Sequence, residues 1–421
     1  MFTDELYEAA FAYRNTKLWK QLFDSELFAV RFADGEIGYC CVMGLAGEHI
    51  ALAVYVGEEG FQSFRELAFR EDDEDEEPDI SWMFRQSCLQ CAFGSRDDLS
   101  EEELSEARGY TQSHRIRMRG AHAWPNFTKS ARYRIPWRLE GEQDERRMTE
   151  ALRAGVELAE ILKKRSKDDI GLYPVDEETQ RLPLLTPLDT GYALSTTPVP
   201  PEWEEEFPEP SPLEAGQVDE LLKLRKRGVY DCELIRLPGL LEGQADAEEA
   251  PYFPALVLCA DAKTGQMLAT NAVTDYDTRP ESLRDEFLRA LVDSGECPRA
   301  VRVRNEQTRA LLSNLCIEGH ILFSVEENLP GLDGAREQVL SMLRKTGGAL
   351  WDDDEDEDED DEDEIDVEAA LAEAVDDLMN MSDAELKRLP PMMIRQVLEM
   401  ANFGFVPQEL QLRLRRLFKN L

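Results

Sequence analysis

Cys88 and Cys91, in "QSCLQCAFG", have the spacing of half a zinc site, with His114 and His122 downstream and Cys40-Cys41 upstream. Thiolates and imidazoles could hold a structural zinc, which needs four ligands converging as a tetrahedron. The sequence supplies no second C-x-x-C and no pair of histidines three to five residues apart. Nor is there a proline or tryptophan pattern of a thioredoxin-like dithiol. Free cysteine packs as a small hydrophobe, so the expectation is buried thiols, with no metal and no cofactor.

A second chemistry is carried by Arg108–Arg138, "RGYTQSHRIRMRGAHAWPNFTKSARYRIPWR", which holds eight Lys or Arg residues and no acid. Aromatic residues are interleaved with the charges. Single-stranded nucleic-acid grooves use that combination, with charge tracking phosphates and rings stacking on bases. The candidate ligand-binding residues are Arg115, Arg117, Arg119, Trp124, Lys129, Arg132 and Arg134. Arg115, Arg117 and Arg119 would share one face of a strand. The competing reading, which the charge of the chain favours, is a solvated face paired with the domain's own acids, with Trp124 and Trp137 in the core.

Other catalytic signatures are missing. There is no G-x-S-x-G, no G-x-x-x-x-G-K-[ST] and no G-x-G-x-x-G, and four histidines offer few bases. Carboxylate pairs are too common here to discriminate between readings.

The elements that must position these residues follow from length and pattern. At 421 residues, two or three domains are expected, and 42% apolar content suffices for real cores. The net charge is −41; leaving out the 13 acids of Asp352–Glu364 still leaves 75 against 47 Lys and Arg, a balance of −28. Such a field disfavours nucleic acid and anionic membrane and favours protein partners with a basic surface. The N-terminus shows no secretory signal, no stretch approaches a membrane span, and the cysteines form no disulfide framework, so a cytoplasmic location is expected.

The overall expectation is an α+β and α/β multidomain chain. Residues 1–195 read as an α+β domain with antiparallel hairpins, opened by an amphipathic helix over 4–23 and turned at Asp34-Gly35. Ser100 and Glu103 form a capping box for a helix over about 101–108, and another helix covers about 144–166. Residues 196–216 are a Pro-rich linker, with six prolines in "STTPVPPEWEEEFPEPSP" and with Trp203 and Phe207 as anchors. Residues 217–348 run helix, strand 229–237, strands 255–261 and 266–273, helix 281–293, strand 299–304, helix 306–317, strand 320–325 and helix 333–345. An acidic linker at 349–365 and a helical C-terminal unit at 366–421 follow. The acidic tract could dock on the basic island or act as a solvated spacer.

In its order of elements, and in "VYDCELIRLP", "ALVLCADAKTGQMLATNAV" and "PRAVRVRNEQTRALLSNLCIEGH", the 217–348 domain resembles the ribonuclease H-like fold, most closely its integrase branch. The whole chain is similar to uncharacterised bacterial cytoplasmic proteins that pair an α+β domain with such a module. The resemblance implies carboxylates on the first strand, the fourth strand and a later helix that bind two divalent ions. Asp231 matches the first. Where the family has its second acid this chain has Arg304-Asn305; Glu306 already begins the helix, and Asp333 and Glu337 fall where the later helix is expected. A guanidinium repels Mg²⁺, so the resemblance points to a degenerate domain that has kept the scaffold without the chemistry. The expected function is therefore a non-enzymatic interaction or regulatory protein. The alternative is a metal-dependent nucleic-acid-processing enzyme on that scaffold, with Asp231 as catalytic ligand.

Overall fold

Asp34-Gly35 makes a tight turn because Gly35 adopts φ +95°, a conformation that favours glycine, and two strands run back from it. In the computed structural model these are β1 (Phe28–Arg31) and β2 (Ile37–Met43), paired antiparallel with Phe28 opposite Cys40. The structure describes residues 2–47, 49–69, 81–239, 250–326 and 328–332, with Arg413 and Arg416. The chain divides into two units, Met1–Trp351 and Asp352–Leu421, and all but two of the described residues belong to the first. The acidic tract, the C-terminal unit, Asp333, Glu337 and the expected helix 333–345 lie outside the described residues.

The N-terminal part opens with helix α1 (Asp4–Thr16) and a single 3₁₀ turn at Leu18–Lys20. The expected helix over 4–23 ends early because Lys17 turns left-handed, at φ 53°, and its N–H bonds back to Arg14. After β2 come β3 (Ile50–Val56), α2 (Gly57–Ala68), α3 (Ser81–Phe84), β4 (Cys88–Gly94) and α4 (Glu101–Ser113). Next are β5 (Trp124–Ser130), β6 (Trp137–Arg138), α5 (Glu142–Leu162), α6 (Lys167–Ile170), β7 (Arg181–Pro187) and β8 (Tyr192–Pro198). Ser100 and Glu103 form the expected capping box of α4, which runs on to Ser113.

The eight strands form one sheet in the order β6-β5-β4-β3-β2-β1-β7-β8, antiparallel except where β7 joins β1 in parallel. Side chains alternate between its faces. Ile50, Leu52 and Val54 meet α1 and α5, whereas Ala53 and Tyr55 meet Phe61 and Phe64 of α2. Both faces are covered, which is why β3 reads as an unbroken apolar run. Gly155 lets α5 lie close to α1, because a Cβ there would sit 2.8 Å from the ring of Tyr13.

The second part holds α7 (Ala215–Lys223), β9 (Arg225–Lys226), β10 (Val229–Arg236), β11 (Ala255–Asp261), α8 (Pro280–Ser294), β12 (Glu296–Cys297), β13 (Ala300–Val303), α9 (Glu306–Glu318) and β14 (Leu322–Val325). Its four-stranded sheet has the order β11-β10-β13-β14; β10 pairs antiparallel with β11 and parallel with β13. The expected strand 266–273 is not regular. It meets β11 through the isolated bridges Ala255–Val273 and Ala260–Met267, with the Leu268 N–H donating to the Cys259 carbonyl at 2.8 Å and the Thr270 hydroxyl to the Val257 carbonyl at 2.7 Å. One face of the sheet, with Cys232, Leu234, Val257 and Val303, packs on α8 and α9 through Phe287, Leu291 and Leu311. The other carries Asp231, Glu233 and Ile235, and Leu329 and Leu332 cover it beside Ile235 and Leu258.

Candidate functional site

Alternation along β10 puts Asp231 and Glu233 on the face away from α8 and α9, and both are buried. Directly opposite Asp231 on β13 stands Arg302. Its Nε donates to Asp231 Oδ1 at 2.7 Å and its Nη2 to Oδ2 at 2.9 Å, a fork that takes both carboxylate oxygens. The second branch, Nη1, reaches Glu326 Oε2 at 3.3 Å. The hydrogen bond to Asp231 raises the Arg302 pKa above its ordinary value. From above, the Gly331 N–H donates to Asp231 Oδ2 at 3.3 Å, and a Cβ at Gly331 would lie 2.9 Å from that oxygen. Only glycine allows this close approach.

Sequence reasoning assigned the repelling guanidinium to Arg304. The register corrects it: Arg302 is the residue that grips Asp231, while Arg304 Nε lies 3.5 Å from Glu233 Oε2. Asn305, where the resemblance led us to expect an acid, caps α9 by accepting from the Thr308 N–H at 2.9 Å. Glu306 pairs with Arg309 on the surface. Among the described residues no group of three or more His, Cys, Asp or Glu side chains could hold a metal ion.

The basic island is divided among several environments. Residues 114–123 form no strand; Arg115 itself is left-handed, at φ 56°. The expected alternation survives without the strand, because Arg115, Arg117 and Arg119 are exposed while Ile116 and Met118 pack on the core. Trp124 opens β5 and also packs on the core. Lys129 pairs with Asp144. Arg132, with a side chain 7% exposed, pairs with Glu66 at 2.8 Å and Glu205 at 3.3 Å and lies 4.8 Å over the Trp203 ring. Arg134 donates to the Ala250 carbonyl and the Tyr252 hydroxyl, each at 2.9 Å.

These last contacts reveal a joint that sequence reasoning missed. Residues 133–135 run beside 251–253: Phe253 N–H donates to the Tyr133 carbonyl at 2.7 Å and Ile135 N–H to the Pro251 carbonyl at 3.0 Å. Phe84 meets Phe253 edge-on at 4.9 Å. Tyr133, left-handed at φ 62°, lays its ring 4.1 Å from the Arg236 guanidinium, which forks onto Asp277 with two bonds of 2.6 Å. The Pro-rich segment is fastened too, since Arg65 donates to the carbonyls of Pro200 at 2.7 Å and Pro201 at 3.1 Å. The sequence signals for this fastening were the proline cluster and the anchors Trp203 and Phe207, and Arg132 lies over the Trp203 ring.

Cys88 and Cys91 stand on β4 with an odd separation and so face opposite sides of the sheet: Cys88 joins the α2 side, Cys91 the α1–α5 side. Their spacing therefore cannot bring both to one ion. Burial pushes the Cys88 thiol up to about 12 and that of Cys91 well above its ordinary value. All eight cysteines are free and buried. An aromatic disulfide reagent should accordingly label the native protein orders of magnitude more slowly than the denatured chain. Fast native labelling of Cys88 or Cys91, mapped by peptide mass, would contradict this burial. His114 and His122 lie apart from the thiols in their bonding, on the carbonyls of Tyr110 at 3.0 Å and Phe93 at 3.1 Å.

No helix among the described residues is long and apolar enough to cross a membrane. Comparison with known proteins finds no match among curated proteins or solved structures. Residues 4–178 match a domain of unknown function, DUF7309, and residues 217–340 match another, DUF6930, so the chain joins two such domains through its proline-rich segment.

Proposed function

We propose that this chain is a non-enzymatic interaction or regulatory protein of the bacterial cytoplasm whose partners are proteins with basic surfaces. In this reading the middle domain is a ribonuclease H-like scaffold, a resemblance supported by the strand order β11-β10-β13-β14. The observation that carries the non-enzymatic reading is the bidentate grip of Arg302 on Asp231. Metal-assisted phosphodiester chemistry needs close carboxylates with open lone pairs. Here a guanidinium fork on the buried carboxylate supplies the positive charge that an ion would bring, and the Gly331 N–H donates to the same carboxylate. The charge of −41 supports a basic partner over nucleic acid.

Purified protein supplied with Mg²⁺ or Mn²⁺ should leave labelled RNA, DNA and RNA–DNA hybrids uncleaved above background. Cleavage that vanishes in Asp231→Asn would promote the metal-dependent enzyme reading over this one.

A further inference from the structure

A cavity of about 510 Å³ opens at the joint, where Arg132 and Tyr133 meet the linker stretch Trp203–Pro208 and the residues Tyr252, Asp277 and Gln307. That volume falls within the range of small-ligand pockets. Tyr133, Trp203, Phe207 and Tyr252 line it with rings. The joint already stacks guanidinium on aromatic three times: Arg132 on Trp203, Arg134 on Tyr252 and Arg236 on Tyr133, all within 4.8 Å of the ring centroid.

The charge of the lining is one-sided. Glu59, Glu204, Glu205, Glu206 and Asp277 face the cavity against Arg132 alone. Asp277 is spent on Arg236, and Glu205 shares Arg132 with Glu66. Burial holds the Glu205 carboxyl above its ordinary range even so. Glu59, Glu204 and Glu206 take no ion pair among the described residues, and Glu204 and Glu206 are exposed. Rings beside uncommitted carboxylates suit a flat cation, which can stack on one and fork onto the other.

We infer that this cavity receives an arginine side chain from a partner protein. The inference rests on the reading of a basic-surfaced partner and locates where that partner is recognised. Lysine, with a compact and strongly hydrated charge, gains less from the rings, and citrulline keeps the arginine shape without the charge.

The test is fluorescence anisotropy of fluorescein-labelled glycine–arginine, glycine–lysine and glycine–citrulline peptides titrated with the full chain at physiological salt. The arginine peptide should bind with Kd on the order of 10–100 μM, and citrulline about tenfold more weakly. The double variant Glu204→Gln/Glu206→Gln, at two exposed positions, should lose about tenfold for arginine, and so should Trp203→Ala. Arginine binding that ignores all three substitutions would overturn the cavity while leaving a basic partner in place. Equal binding of arginine and citrulline would overturn the inference by removing the charge from it. Failure of both basic peptides to bind would remove the basic-partner reading as well.

Discussion

Replacing Arg302 with alanine should lower the free energy of unfolding by about 3 kcal/mol or more, because it leaves the carboxylate of Asp231 buried and uncompensated. Asp231 is 0% exposed, and beyond Arg302 it accepts from the Gly331 N–H at 3.3 Å. One backbone donor cannot replace a forked cation. The reverse deletion should be milder. In Asp231→Asn the guanidinium, 24% exposed, keeps Glu326 and water, so the loss should be about 1–2 kcal/mol. Replacing both partners together, as Asp231→Leu/Arg302→Met, should restore most of the stability, since apolar isosteres of buried pairs are often neutral or better. Urea unfolding followed by tryptophan fluorescence reads all three. If Arg302→Ala proves no worse than Asp231→Asn, the carboxylate does not depend on this guanidinium and the non-enzymatic reading loses its main support.

The second large effect belongs to Arg236→Ala. The Arg236 side chain is 4% exposed and forks onto Asp277, itself 11% exposed, between the rings of Tyr133 and Tyr276 at 4.1 and 5.2 Å. Its removal strands a nearly buried carboxylate and deletes two stacking contacts, together costing about 3–5 kcal/mol. The Tyr133 ring comes from the N-terminal part, so the damage should appear at the joint first. Limited proteolysis should cut between 199 and 213 in the variant well before it cuts the wild type. Arg236→Lys keeps the charge but neither fork nor plane, and should recover only a minor share. A lysine variant as resistant as wild type would show that charge alone holds the joint.

How much of this was legible in the sequence depended on how local the cause was. The Asp34-Gly35 turn, the Ser100–Glu103 capping box and the strand 255–261 are written within a few residues, and they appear where the text puts them. Strands β7 and β8 were not anticipated, because Pro183, Pro187 and Pro198 argue locally against a strand. The pairing of β7 with β1 overrides that signal, and β8 runs to Pro198, past the expected boundary at 195. Around Asp231, the sequence indicated a guanidinium on the neighbouring strand but not the register, and a shift of two residues decides between Arg304 and Arg302. The joint was illegible for a related reason. Arg132 finds Glu205 across 73 residues and Arg134 finds Tyr252 across 118, and no periodicity encodes such pairings.

The parallel seam between β1 and β7 also bears on where this protein can be cut. The DUF7309 match ends at residue 178, before β7 begins at Arg181. A fragment trimmed to that match would lose both strands that flank β1 on that side and uncover the backbone of Phe28–Arg31 as a raw sheet edge. Phe28, Ala29 and Val30 are 0% exposed in the intact chain, so the new edge would be apolar as well as unpaired. Edges of that kind recruit strands from other molecules and seed aggregation. The smallest soluble version of the N-terminal domain should therefore extend through Pro198, twenty residues past the end of the match.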